Sequence, residues 1–243
     1  MSSRFLRMLA TALLALLAAS GLVWAGGVTV KGRVSLVSAL RDKPAADNSQ
    51  AVVWLTPLDD SAVAWKPASG HFRLVQKNKR FTPHILVVPV GAVVDFPNDD
   101  PFFHNVFSLF NGKRFDLGLY EAGTNKTVTF NSPGVSYIFC NIHPEMSAVV
   151  LATRTPYYAI SGNTGDFEIA NVPPGRYQMN VWHERCLPET LKSATREVDV
   201  SEDDPSLGEI RLPESGDLLA KHKDKFGQRY EPVPSSPLGY GQP

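Results

Sequence analysis

Short apolar segments bounded by turn residues recur along nearly the whole chain after residue 25. Some alternate apolar and polar residues, as in VTVKGRVSLV, which is the pattern of a strand with one buried face. Others are continuously apolar, such as HILVVPVGAVVDF, in which the run Pro-Val-Gly separates two strands. No window of a dozen residues has a helical period, and the best helix candidate is SGDLLAKHKDKF at 215–226. The chain is therefore predicted to be all-β, built from β-sandwiches or barrels.

Composition limits the function classes. The chain has 24 lysine and arginine residues against 24 aspartate and glutamate residues, which gives a formal net charge of zero. A nucleic-acid-binding surface needs many phosphate contacts and therefore a basic excess, so we exclude that class. With 43% apolar and 20% charged residues, the sequence has the composition of a folded protein rather than a disordered one.

The first 25 residues differ from the rest of the chain. Arg4 and Arg7 precede an apolar run that ends in V-W-A before Gly26, which is the arrangement of a secretory signal peptide. The apolar run has about 15 residues, whereas about 20 are needed to span a bilayer. We therefore expect residues 1–25 to be a cleaved signal peptide and not a retained anchor. The mature protein is then expected to be periplasmic or otherwise exported, with no membrane span.

Strand patterns and composition divide the rest of the chain into units. Residues 71–153 form one predicted unit, and a second unit is split around it into a first part at 26–70 and a second part at 154–213. We hypothesise that the central unit is inserted into the flanking one, which requires the ends of the inserted unit to lie close together. The alternative is that residues 27–65 belong to the sheet of the central unit. From 214 to 243 the polar, proline- and glycine-rich sequence predicts a flexible tail.

Three soft ligand types stand close together in YIFCNIHPEM, namely Cys140, His143 and Met146. Thiolate, imidazole and thioether suit copper, whereas calcium and magnesium prefer oxygen. A copper site that serves both oxidation states needs a second imidazole, and His104, after a predicted strand end at Phe96, is the expected source. Because a sandwich gathers its loops at its ends, these four residues can converge.

Each of these residues also has a simpler interpretation. In an oxidising compartment Cys140 and Cys186 would by default pair as a disulfide. His104 could be an ordinary loop histidine, and Met146 could fill core space, since methionine packs readily into gaps. If the metal interpretation holds, Cys186 is left as a buried thiol or pairs with another molecule. The remaining histidines lack comparable neighbours and are expected to be structural or solvated: His71, His84, His183 and His222.

The segments FTPHILVVPVGAVVDFPNDDPFFHNVFS and YIFCNIHPEM together resemble the cupredoxins, the plastocyanin/azurin family of blue copper electron carriers. The resemblance covers residues 71–153 and implies a Greek-key β-sandwich that holds one copper ion, cycling between Cu(I) and Cu(II). It implies that His104, Cys140 and His143 are the equatorial ligands and that Met146 is the axial ligand.

The same resemblance has two further parts. It implies that Asn105, next to His104, ties the two ligand loops together by hydrogen bonds. The motifs HNVFS, FDLGLYEAG, CNIHPEM and TPYYA, in that order, are also similar to exported proteins named methylamine utilisation protein or plastocyanin-like protein. That name identifies no substrate.

The two parts of the flanking unit resemble the carboxypeptidase regulatory-like domain, a transthyretin-like sandwich with Ig-like architecture. The segments concerned are VTVKGRV with AVVWL, and GNTGDFEIANVPPGRYQMNVWHE. The resemblance implies a fold and nearly nothing about function, and the residues by themselves require only a strand-turn-strand hairpin. Six positions match the motif: Gly165, Phe167, Ile169, Pro174, Gly175 and Tyr177.

These features predict an exported, mononuclear, type 1-like copper protein that carries electrons and is not an enzyme. Acidic residues near the site (Asp95, Asp99, Asp100 and Glu145) raise hydrolysis as an alternative. However, four protein ligands leave no open position, and motifs such as G-x-S-x-G or H-E-x-x-H are absent, so no catalytic residue is predicted. The other candidate functions are copper storage or delivery, and a binding module with a vestigial copper domain.

Redox proteins of unknown identity are the expected partners. The apolar cluster Pro101, Phe102, Phe103 and Phe107 could be ordinary core, or it could surround the copper and expose a face beside it. Exposed apolar patches mark docking sites, and electron-transfer encounters use small interfaces. We therefore expect docking near Phe102, Phe103 and Pro144.

Overall fold

The computed structural model describes residues 27–38, 43–59, 71–109, 112–216 and 222–230. The expected signal peptide, residues 1–25, lies outside the described residues. In the part of the chain that is described, no helix is both long enough and apolar enough to cross a membrane.

The described residues form strands almost throughout, and the predicted all-β class is confirmed. The single helix among them is α1 (Pro188–Ala194). In chain order the strands are β1 (Val28–Ser38), β2 (Val52–Pro57), β3 (Phe72–Arg73), β4 (Val75–Lys77), β5 (Arg80–Thr82), β6 (Ile85–Pro89), β7 (Ala92–Pro97), β8 (His104–Ser108), β9 (Phe115–Tyr120), β10 (Asn125–Phe130), β11 (Gly134–Phe139), β12 (Ser147–Thr153), β13 (Tyr158–Ile160), β14 (Asp166–Val172), β15 (Gly175–Trp182), β16 (Arg196–Val200) and β17 (Ser206–Glu214).

The central unit contains β3 to β12. A three-stranded sheet in the order β10-β7-β3 faces a five-stranded sheet in the order β6-β12-β11-β8-β9, and β4 and β5 form a separate hairpin. Apolar side chains of both sheets, among them Phe96, Phe130 and Ile138, fill one shared core. Two facing sheets with such a core are a β-sandwich, as the sequence predicts.

The flanking unit is assembled from both ends of the described chain. β1 pairs with β14 and with β17, and β2 pairs with β13 and with β15. In the described residues these strands therefore pair with segments after residue 157, which is the pairing that the insertion hypothesis requires. Gly165 is needed where the halves meet, because its φ is +86° and an added Cβ would lie 1.9 Å from the carbonyl oxygen of Val34.

Both faces of the five-stranded sheet are buried along β6, β8 and β12, whereas the edge strand β9 is partly exposed. In β12, Ala148, Val150 and Ala152 face the core of the central unit, whereas Val149 and Leu151 belong to a second apolar cluster. This second cluster joins the two units. A strand that is buried on both faces has no polar side to present, which explains why these segments are continuously apolar in sequence.

The second cluster brings the flanking unit against the central sheet. Val52 of β2 and Trp182 of β15 pack there with Phe107 and Phe139 from the central unit. The indole N–H of Trp182 also lies 3.4 Å from the hydroxyl of Tyr137 and donates to it. The two units therefore share an apolar interface rather than being joined only by the chain.

Two sequence expectations differ from the structure. The helix candidate at 215–226 lies partly outside the described residues, and its described part, 215–216 and 222–226, is not helical. The observed helix α1 has seven residues, none of them buried, so it has no apolar face whose period could reveal it. The predicted flexible tail also contains residues 222–230, which pack against the central unit through the rings of His222 and Phe139.

We expect Trp182→Ala to lower the free energy of unfolding by about 3–5 kcal/mol, because it opens a cavity at the interface between the units. Trp182 is only 4% exposed. Leu187→Ala is the control, since Leu187 is 43% exposed and its truncation should cost no more than about 0.5 kcal/mol. Urea unfolding of both variants measures this, and equal losses would contradict the proposed interface.

Candidate metal centre

The topology brings His104 and Cys140 to the same end of the five-stranded sheet. β8 begins at His104, and β11 ends at Phe139, one residue before Cys140. The two strands are antiparallel neighbours with Phe139 opposite Phe107, so the start of one lies beside the end of the other. His104 thus opens a strand, whereas the sequence placed it in a loop after the preceding strand.

Three side-chain donor atoms meet at this end of the sheet. His104 Nδ1 and His143 Nδ1 each lie 3.7 Å from Cys140 Sγ, and the two nitrogens are 3.1 Å apart. His104 and Cys140 are fully buried, and His143 is half-buried. Among the residues that the structure describes, this is the one group of three or more potential histidine, cysteine or acidic metal ligands.

The donor spacing fits a metal ion. An ion about 2.0 Å from each imidazole nitrogen and about 2.3 Å from a thiolate would separate its donors by roughly 3–4 Å. The observed separations of 3.1 and 3.7 Å fall in that range. Two imidazoles and one thiolate are also the chemical set that suits copper.

Met146 lies on the core side of the same loop. Its side chain is fully buried in the cluster that contains Cys140. The Met146 N–H donates to the carbonyl of His143 at 3.0 Å, and the Cys140 N–H donates to the carbonyl of Met146 at 3.3 Å. These two hydrogen bonds close the loop, so that Cys140, His143 and Met146 keep fixed relative positions.

A buried carboxylate orients the His104 ring. Asp100 Oδ2 lies 2.8 Å from His104 Nε2, and the two side chains are 5% and 0% exposed. A carboxylate at Nε2 holds the proton on that nitrogen, which leaves the Nδ1 lone pair directed at Cys140 and His143. The sequence shows Asp100 only as an acidic residue near the site. Its separation from His104 along the chain does not reveal that the two side chains are in contact.

Asp100 is itself fixed as an anion. Burial acts to raise its pKa, but hydrogen bonds from the Lys79 N–H, from His104 and from the Asn78 N–H outweigh it, and the pKa lies below the ordinary value. Those two N–H groups lie 2.9 and 2.6 Å from its oxygens. The carboxylate therefore remains ionised and keeps accepting from His104.

Side-chain hydrogen bonds hold the turn that leads to His104. The Asn98 side chain donates to the carbonyl of Phe102 at 2.8 Å and accepts from the N–H of Asp100 at 3.1 Å. Gln76, which is fully buried, donates to the carbonyls of Phe96 and of the following proline, both at 3.3 Å. The folded turn therefore fixes the position of His104.

Burial and nearby dipoles act on the other two donors. Burial raises the pKa of the Cys140 thiol, opposed by backbone N–H groups of Asn105, Ile142 and His143 that point at the sulfur. These N–H groups favour the thiolate that a metal would bind. Burial is the main cause that lowers the pKa of His143, and the nearby His104 and Lys79 lower it further. The His143 ring is therefore neutral and able to ligate at neutral pH.

The side chain and the main chain of Asn105 contact different partners. Its side-chain N–H donates to Asp116 of β9 at 2.8 Å instead of to the loop that follows β11. Its backbone N–H, in contrast, approaches the Cys140 sulfur. Asn105 thus connects the two ligand segments through its main chain, while its side chain is directed to a neighbouring strand.

Of the apolar residues near the metal centre, some belong to the core, and others surround the centre or form an exposed face beside it. Phe107 is fully buried in the interface between the units. The Phe102 ring lies 5.2 Å from the ring of His104 and 5.6 Å from that of His143, so it covers both imidazoles. Phe103 is 51% exposed, and Pro144 is also exposed. An apolar surface therefore adjoins the centre.

The remaining cysteine and histidines are engaged elsewhere. Both cysteines are free and buried, so the disulfide alternative does not hold, and Cys186 lies in the core of the flanking unit. The other histidines have partners outside the donor group: His71 with Asp95, His84 with Glu184, His183 with the carbonyl of Ser49, and His222 with Phe139.

Comparison with known proteins yields matches among solved structures. The chain is similar to a purple cupredoxin from Nitrosopumilus maritimus, with 24% identity over 34% of this chain and 99% of that one, and a TM-score of 0.31. A copper-containing nitrite reductase from Thermus scotoductus SA-01 matches with 25% identity over 40% of this chain, 25% of that one and a TM-score of 0.33. A reduced amicyanin mutant matches with 19% identity over 42% and 98%, and a TM-score of 0.31. No protein-family model and no curated protein matches the sequence.

We expect Asp100→Asn to weaken copper binding about 10- to 100-fold, because the His104 ring loses the anion that fixes its proton on Nε2. Asp99→Asn is the matched control, since Asp99 is adjacent and exposed. Competition with a chelator measures both affinities. Equal affinities for the two variants would show that the buried carboxylate does not orient the ligand.

Proposed function

We propose that this chain is an exported mononuclear copper protein that carries electrons. His104, Cys140 and His143 would hold the ion, with Met146 as the fourth ligand. The convergence of two imidazole nitrogens and one sulfur within 4.8 Å of one another carries the proposal. Copper bound by these groups would supply one-electron chemistry between Cu(I) and Cu(II).

The rigidity of the donor group favours electron transfer as the purpose of the site. Asp100 holds His104, backbone N–H groups surround the Cys140 sulfur, and the loop around Met146 is closed by its own hydrogen bonds. Donors that are held in place by the fold change little when the charge of the ion changes. A small rearrangement is what a fast electron carrier needs, whereas a delivery site must open to release its ion.

His143 is the proposed point of electron entry and exit. It is the half-buried member of the three donors, whereas the other two are fully buried. Phe103 and Ile142, next to two of the ligands, are 51% and 44% exposed. A redox partner docking on this apolar surface, near Phe102, Phe103 and Pro144, would approach the edge of the His143 ring.

The flanking unit is proposed as an accessory sandwich of the carboxypeptidase regulatory-like type. Its packing against β6, β11 and β12 through Trp182 supports a role in stiffening the sheet that carries Cys140. Export, by cleavage of residues 1–25, would place the protein in an oxidising compartment. Cys140 would there be protected from oxidation by its burial and by copper.

We expect Cys140→Ser to abolish the intense visible absorption of the copper-loaded protein, because that band requires a thiolate bound to copper. Cys186→Ser is the matched control and should keep the band, since Cys186 is buried in the other unit. Absorption spectra with copper quantification measure both. Retention of the band by Cys140→Ser would refute the assignment, and irreversible voltammetry of the wild type would favour storage or delivery.

We expect Met146→Leu to keep the visible band but to raise the reduction potential, because a thioether donor stabilises Cu(II) more than an alkyl group does. Leucine has a similar volume, so the fold should persist. Met179→Leu is the control, since Met179 is equally buried but lies in the flanking core. Voltammetry measures the potentials; an unchanged value for Met146→Leu would mean that Met146 is a packing residue.

A further inference from the structure

The C-terminal segment (residues 222–230) is a compact loop with its own hydrogen bonds. The Asp224 carboxylate accepts from the N–H groups of Phe226 and Gln228 at 3.0 and 2.7 Å. The Asp224 N–H also donates to the carbonyl of Gln228 at 2.9 Å. The segment is therefore held in one shape locally, although its composition cannot support a core of its own.

The C-terminal segment binds the loop that carries three of the proposed copper ligands. The Tyr230 hydroxyl donates to the carbonyl of Cys140 at 2.9 Å, and the Lys225 N–H donates to the side-chain oxygen of Asn141 at 2.9 Å. These contacts join positions that are 90 and 84 residues apart in the chain. Both fall within the first two residues of the loop.

A third contact connects the C-terminal segment, through Asp116, to the strand that carries His104. The Lys225 ammonium lies 2.9 Å from one oxygen of Asp116, and the other oxygen accepts from the Asn105 side chain at 2.8 Å. Asn105 follows His104 directly. The path Asn105, Asp116, Lys225, Asn141 therefore also links the two ligand segments.

Aromatic packing completes the attachment. The His222 ring stacks on the Phe139 ring with a centroid distance of 4.1 Å and an interplanar angle of 15°. His222 Nε2 lies 3.1 Å from the Tyr230 hydroxyl. Since the single hydroxyl proton is directed at the Cys140 carbonyl, the imidazole is the donor in this contact. His222, Tyr230 and Cys140 form one hydrogen-bonded chain.

We propose that the C-terminal segment is a positioning element of the copper centre, in which Tyr230 and Lys225 hold the Cys140 loop against the His104 strand. The inference rests on the proposed copper site and adds to it a part of the chain outside the central unit. Without the segment, the loop would keep its internal hydrogen bonds but lose two external ones, and the ion pair to Asp116 would be lost as well. Copper affinity and the geometry at the sulfur would then change together.

The direct test is Tyr230→Phe in the full chain. Removing the hydroxyl frees the Cys140 carbonyl, and we expect copper affinity to fall about 10-fold and the thiolate-to-copper absorption band to shift. Tyr177→Phe is the matched control, because the Tyr177 hydroxyl donates to the carbonyl of Pro173 at 2.7 Å in the flanking unit. That variant loses the same type of bond, and its affinity and spectrum should match the wild type.

Lys225→Gln provides a second variant that keeps the backbone N–H to Asn141 but removes the ion pair with Asp116. We expect a smaller loss of affinity and a shift of the band in the same direction. Equal affinities and spectra for Tyr230→Phe, Lys225→Gln and Tyr177→Phe would overturn this inference alone. A wild-type protein without the thiolate band would instead overturn the proposed copper site.

Amide exchange of the wild type tests the coupling without any substitution, and it decides the question if Tyr230→Phe does not fold. Because coupling between two sites is reciprocal, copper must stabilise the segment by the factor by which the segment strengthens copper binding. We expect the Lys225 and Gln228 amides to exchange about 10-fold more slowly in copper-loaded protein than in apoprotein. Equal exchange rates in the two forms would contradict the coupling.

Discussion

The rest of the structure depends on the burial of both faces of the five-stranded sheet along β6, β8 and β12. One face packs on the core that contains Cys140 and Met146, and the other packs on the flanking unit. A sheet enclosed in this way cannot shift its register without moving side chains on both faces into unfavourable surroundings. The start of β8 and the end of β11 are consequently fixed relative to each other, and with them His104 and Cys140.

Local sequence predicts the strands well because the alternation of apolar and polar residues is a local property. The apolar runs contain β6, β7, β11 and β12, and the soft ligand types lie within seven residues of one another. The sequence does not predict which polar group contacts His104. Asp100 reaches it because Asn98 shapes the intervening turn, and such a turn cannot be derived from composition. The helix α1 is missed because it buries no residue.

The C-terminal segment shows why composition alone misjudges the end of the chain. Few apolar residues mean that a segment cannot form its own core, but they do not prevent it from binding a surface that is already folded. His222 supplies a ring, Tyr230 a hydroxyl group and Lys225 a charge, each to a partner in the central unit. Contacts across more than 80 residues depend on the completed fold, so no local pattern contains them.

The electrostatic arrangement around the donors agrees with a site whose charge changes by one unit. The anionic Asp100 lies behind the buried His104, where it stabilises positive charge, while N–H dipoles surround the sulfur and stabilise its negative charge. Both groups are held by the fold, so in the proposed electron carrier they would need little reorganisation when an electron arrives. His143, with its lowered pKa and partial exposure, would be the donor that a partner approaches. In that proposal the interior of the site would hold copper, and its accessible edge would exchange electrons.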